Sequence, residues 1–224
     1  MSHERPSLES IMNDVGYQAL RRDVYKATWS SEEVEHFIYF SWYGQREELL
    51  AAHCGIRNPC AEAFSVRSIR TYGGEFLFNA LAYDECTSCT MRFSFERLSK
   101  INWPLNSLML PGSELAASVR GLVKERVLPV VSSMVDIDTI LSLFVSDSEP
   151  CPWFVSNGAI RAAQIVALAK RKGIEDAQVT EMLKSRESNI SRGFMKASMY
   201  REKPGAYVEK ILSDARRLLI MGKG

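Results

Sequence analysis

The sequence predicts an α+β fold: an antiparallel sheet of four or five strands with an N-terminal helix, followed by a helical C-terminal half. Three observations predict it. Short runs rich in aromatic and β-branched residues crowd into about the first hundred positions. Helix-period apolar patterns take over after Trp103-Pro104. Strand runs followed by helix runs, in place of strict alternation, exclude a doubly wound parallel sheet. The 224 residues are 46% apolar and 25% charged, the composition of a chain with a real core. That excludes a disordered tail, a collagen-like fibre and a small disulfide scaffold.

Leu8, Ile11, Met12 and Val15 repeat at helical spacing, with Ser7 as the expected cap and Gly16 as the stop. Residues 17–29 read as extended. From Val34 to Tyr43 the chain is almost wholly apolar and aromatic, which predicts a central strand, and Gly44 to Glu48 turns it back into a second strand over Leu49–Ile56. Asn58-Pro59 starts a helix that runs from about Cys60 to Tyr72. Asparagine caps it, and proline at the first helical position loses no hydrogen bond. Gly73-Gly74 stops it. Glu75–Tyr83 and Thr87–Leu98 read as two further strands. In the second, Met91, Phe93 and Phe95 alternate with Arg92, Ser94 and Glu96, the pattern of a sheet wet on one face.

Beyond Pro104 the spacing predicts a helix capped by Ser113 and ending near Val127, where Pro129 kinks or breaks it. Asp136 opens a short helix carrying Ile137, Ile140, Leu141 and Phe144 inward. Helices over about 157–172, closed by Gly173, over 176–187 and over Pro204–Met221 complete the chain. Residues 1–104 thus form the sheet region and 105–224 a helical region packed on it as one compact unit. Asp147 to Pro152 is a second candidate boundary.

The opening residues are polar and lead into no apolar signal segment, and no run of 18 apolar residues occurs, so the expectation is a cytoplasmic chain with no membrane contact. Five cysteines, Cys54, Cys60, Cys86, Cys89 and Cys151, are then expected to be reduced. Cys86-Thr-Ser-Cys89 has the spacing of one side of a zinc site, with Cys54, Cys60 or His53 to complete it, or of a redox pair. Against both, Cys54 and Cys60 are separated by five residues, and the motif opens a strand where a redox pair needs a helix. No metal or cofactor is therefore expected, and Cys86 and Cys89 are the metal candidates. His53 adjoins Cys54, but neighbours on a strand face opposite sides, which argues against a Cys-His nucleophile. Gly73-Gly74 lacks the context of a phosphate-binding loop. With no catalytic signature, the chain reads as non-enzymatic.

The net charge of +1 conceals an asymmetry. Residues 161–224 carry 14 Lys and Arg against 7 Asp and Glu, whereas residues 1–160 carry 14 against 20. Lys170, Arg171, Lys172, Lys184, Arg186 and Arg192 form the candidate binding patch. Ile165–Leu183 also has the outline of a helix-turn-helix: Ala169 where two helices need a small residue, Gly173 in the turn, Val179 and Met182 packing the second helix. An ordinary helical hairpin meets the same description.

The opening order is a helix, Gly16-Tyr17 with Arg21-Arg22 and Tyr25, the strand His36–Trp42, then Cys54-Gly55-Ile56-Arg57. It resembles that of small bacterial α+β proteins, some thought to be toxin-immunity proteins. The resemblance implies an immunity or antitoxin-like protein acting on a protein partner. The alternative is a nucleic-acid-binding regulator that uses the basic C-terminal helices.

Overall fold

Glu35–Tyr43 lies at the middle of a sheet in the computed structural model, which describes residues 8–43, 49–73, 89–95, 105–106, 112–146, 158–184 and 204–221. The arrangement is α+β, an antiparallel sheet with an N-terminal helix and a mostly helical C-terminal half. The chain divides into two compact units that interleave along it, residues 1–57 with 91–135, and residues 58–90 with 136–224. The helix after residue 112 therefore belongs to the unit of the sheet, and the helix after Asn58 to that of the C-terminal helices.

In the first unit, helix α1 (Glu9–Asp14) precedes strands β1 (Tyr17–Arg21), β2 (Val24–Ala27), β3 (Glu35–Tyr43), β4 (Leu49–Arg57) and β5 (Met91–Ser94), which pair in that order. A two-residue strand β6 (Leu105–Asn106) pairs the other end of β4. The extended segment at 17–29 is a hairpin turned at Arg22-Asp23, with Asp23 in the left-handed region at φ 61°, which aspartate tolerates better than most side chains. The long ladder between β3 and β4 runs unbroken from Glu35 opposite Arg57 to Tyr43 opposite Leu49. Its alternation sends Ile38 and Phe40 to the face shared with Tyr25, Cys54, Ile56 and Met91, all of them buried. Among the described residues no side chain caps α1: Leu8 stands at its start, and Ser7 lies outside them.

Helix α2 (Gly112–Leu122) opens one residue before Ser113, which therefore lies inside it rather than capping it. Pro129 does not break it. The helix widens into a π-helical turn over Val123–Val127 and continues through Leu128–Val131. The Leu128 N–H donates to the Val123 carbonyl, so the register has shifted by one residue just before the proline whose missing N–H must be absorbed. The same turn keeps the apolar face straight. Leu115, Val119, Val123, Val127 and Val131 are buried at strict four-residue spacing, which drifts about 40° per step in an α-helix and is unwound by a wider turn.

In the second unit, helix α3 (Pro59–Ser68) is capped as expected. The Ala61 N–H donates to Asn58 Oδ1 at 2.8 Å, and the Asn58 N–H donates to Thr90 Oγ1 at 2.8 Å. A π-helical turn over Ile69–Gly73 ends it. Helix α4 (Ile137–Ser146) is capped by Asp136, whose Oδ1 accepts from the Thr139 N–H at 2.7 Å, and it buries Ile137, Ile140, Leu141 and Phe144. Helix α5 (Gly158–Arg171) is the centre of this unit, buried at Ala159 and without interruption from Arg161 to Ala169. Its alanines allow close approach of α3, where Gln164 Nε2 donates to Glu62 Oε1 at 2.7 Å. Helices α6 (Asp176–Lys184) and α7 (Pro204–Met221) follow, and Tyr207 Oη donates to the Ala159 carbonyl at 2.9 Å. No helix among the described residues is long and apolar enough to cross a membrane. The segments 75–83 and 147–152 and the boundary at Trp103-Pro104 lie outside the described residues.

Candidate functional site

The basic patch read from the sequence falls at the α5–α6 hairpin. Helix α5 ends in a Schellman closure: the Ile174 N–H donates to the Ala169 carbonyl at 3.0 Å and the Gly173 N–H to the Lys170 carbonyl at 3.0 Å, with Gly173 at φ 74°. The turn places Lys170, Arg171 and Lys172 at the end of α5, and the charges of Lys170 and Lys172 are met by carboxylates of α6 and α4. Lys170 pairs with Asp176 and donates to the Ile174 carbonyl at 2.7 Å. Asp176 also takes Arg216 of α7. Lys172 Nζ lies 2.6 Å from Asp138 Oδ2, and Lys184 Nζ 2.6 Å from Glu181 Oε2. The hydrogen bond from Lys170 holds the Asp176 carboxyl below its usual range against the opposing effect of burial, with Arg216 adding to the lowering. Arg186 and Arg192 lie outside the described residues.

The helix-turn-helix outline is realised in its packing: Ala169, Val179 and Leu183 are buried and Met182 partly so. Its second helix, however, opens with Glu175 and Asp176 and exposes Glu181, the wrong charge for a helix end that faces phosphate. Val145, Ile174, Gln178, Glu181 and Met182 line an open groove beside this turn.

The second concentration of chemistry is on the other face of the sheet of the first unit, where charged side chains surround the buried Phe37 and Tyr39. Lys26, Phe37, Gly55 and Arg92 stand in one row across β2, β3, β4 and β5, with Glu35 and Arg57 paired in the row above and Tyr39 opposite His53 in the row below. Glu35 accepts from Lys26 Nζ and from Arg57 Nε, each at 2.6 Å. Burial acts to raise the Glu35 carboxyl, but these two hydrogen bonds prevail and hold it below its ordinary value. The Arg57 guanidinium lies 4.6 Å from the centre of the Phe37 ring, and that of Arg92 5.2 Å from Tyr39. Tyr39 stacks on His53 at 5.1 Å. Burial, with the Arg92 charge beside it, pushes the His53 imidazole down to about 4.

His53 and Cys54 do face opposite sides of β4: Cys54 is buried in the core row and His53 lies on the polar face. Cys60 is exposed and Cys89 half-buried, while Cys86 lies outside the described residues. Among the described residues no group of three His, Cys, Asp or Glu side chains could hold a metal ion. His36 is buried in the core row, against Trp29 at 4.3 Å, and burial pushes it down to about 4. The alternation around Arg92 was the available signal for the polar face. Lys26, Glu35 and Arg57 escaped sequence reasoning because each looks like an ordinary strand-end charge until the register sets them side by side. No family model, no curated protein and no solved structure matches the chain.

Proposed function

We propose that the chain is a non-enzymatic binding protein that acts on a protein partner, in the manner of an immunity or antitoxin-like protein. The observation that carries this reading is the internal pairing of the hairpin cations. Lys170, Lys172 and Lys184 each have a carboxylate of their own unit within ion-pair distance, namely Asp176, Asp138 and Glu181. A phosphate backbone binds by releasing counterions from unneutralised cations, and cations already held by carboxylates supply little of that drive. The acidic first turn of α6 points the same way, since a recognition helix meets phosphate with its N-terminal end.

Photo-crosslinking in the native cell tests the reading, with adducts to protein separated from adducts to nucleic acid. The expected result is a protein adduct that reassembles from the two purified components. Adducts to nucleic acid alone overturn the proposal and restore the regulator.

A further inference from the structure

We propose that residues 28–34 of the first unit form an acid-released flap: protonation of the buried His36 imidazole drives Trp29 out of its slot while the sheet stays folded. Trp29 lies between the interior and solvent. It is 39% exposed, yet its indole packs on the His36 ring at 4.3 Å between centres and meets Tyr17 edge-on at 6.1 Å. The chain turns beside it at Gly16, where a Cβ would stand 3.7 Å from the indole. His36 beneath it is 1% exposed, and its Nδ1 atom has no hydrogen-bond partner.

An imidazolium in that place would need an acceptor at Nδ1. On the same face of the neighbouring strands the titratable groups are Tyr17 of β1, Tyr25 of β2 and Cys54 of β4, none of them a carboxylate. Lys26, Glu35 and Arg57 stand on the other face. Glu9 and Asp14 of α1, Glu114 and Arg120 of α2, and Glu32 and Glu33 of the flap are exposed. Burial accordingly pushes His36 down to about 4. The flap gives way before the sheet does. Residues 28–33 are exposed apart from the half-buried Ser30, and the segment is held by short-range bonds. The Ser31 N–H donates to the Val34 carbonyl at 2.9 Å, the Val34 N–H to Ser31 Oγ at 2.9 Å and the His36 N–H to Ser30 Oγ at 3.0 Å. Strand β3, by contrast, is paired on both sides, by β2 and β4. An imidazole freed to water titrates near 6.5, so acid favours the open form. The closed-to-open ratio falls about 20-fold between pH 7 and 5, and about 300-fold once the pH lies below 4.

The test is amide hydrogen exchange of the full chain, read residue by residue by NMR at pH 7 and pH 5 and corrected for the intrinsic pH dependence of exchange. The expected result is that the Ser31, Val34 and His36 amides are less protected than those of the β3–β4 ladder, and that their protection falls about 20-fold at pH 5. Circular dichroism should be unchanged between the two pH values. A His36→Gln variant should lose this pH dependence and a Tyr17→Phe variant should keep it. Flap amides protected to the same degree as the ladder at both pH values overturn the proposal, because opening is then global unfolding. Flap protection that does not change with pH in the parent, or that changes equally in His36→Gln, also overturns it. Should His36→Gln fail to fold, the comparison of flap and ladder amides in the parent decides alone.

Discussion

Phe40→Ala should be among the most damaging single changes in the first unit. Phe40 is 5% exposed and meets Tyr25 and Phe95 edge-on, with ring centres 5.9 and 6.3 Å away. Its partner across the β3–β4 ladder is Ala52, too small to fill the space a phenyl ring leaves. Truncation removes the transfer free energy of the ring and leaves a cavity, together about 3–5 kcal/mol, which includes about 0.5–1.5 kcal/mol for each aromatic pair. Trp42→Ala, two residues along the same strand, should cost less because Trp42 is only partly buried. Guanidinium denaturation followed by fluorescence and by circular dichroism measures both. Because the chain divides into two units, the Phe40 variant should move the transition of the sheet unit more than that of the helical unit. A Phe40→Ala midpoint within error of the parent would refute the placement of β3 at the centre of that core.

Asn58→Ala should cost about 1 kcal/mol by leaving the Ala61 N–H without its acceptor, read as a lowered denaturation midpoint. Gly173→Ala should cost about 1 kcal/mol although open space surrounds that position, because φ 74° penalises any Cβ; an unchanged midpoint would mean the Schellman turn is absent. Acid should begin to weaken the fold as the pH falls below about 6.5. His36 titrates near 4 when folded and near 6.5 when unfolded, so the unfolded chain binds the extra proton between those values and stability falls as pH drops through that window. The loss approaches about 3 kcal/mol at its lower end, and a His36→Gln variant should lack that part of the pH dependence in urea titrations run from pH 7 to 4.

What the sequence made legible was local. Asn58-Pro59, Asp136 and Gly173 each act within one turn, and each cap or stop forms where the residue types require it. The aromatic run at Glu35–Tyr43 is buried on both faces from His36 to Phe40, as expected of a central strand. The function-bearing arrangements were illegible because they depend on pairings between distant residues. Lys172 meets Asp138, 34 residues away, and Asp176 meets Arg216, 40 residues away, so a count of charges along the chain showed a basic patch where space shows paired ions. The polar sheet face needs the register of β4 against β5, which no periodicity specifies. Pro129 misled for a related reason: its cost was absorbed by a π-helical turn that the four-residue valine spacing also requires. The interleaved units follow from the same long-range packing, since helices close in sequence to the sheet region find their apolar partners elsewhere.

The most direct measurement of the central claim is the salt dependence of duplex DNA binding by the full chain, with and without a Lys170→Gln, Arg171→Gln, Lys172→Gln replacement. With the hairpin cations held by Asp138 and Asp176, the account predicts negligible binding above about 150 mM salt and no effect of the triple change on what remains at low salt. Micromolar affinity that collapses between about 50 and 200 mM salt, with a slope flattened by the triple change, would contradict it.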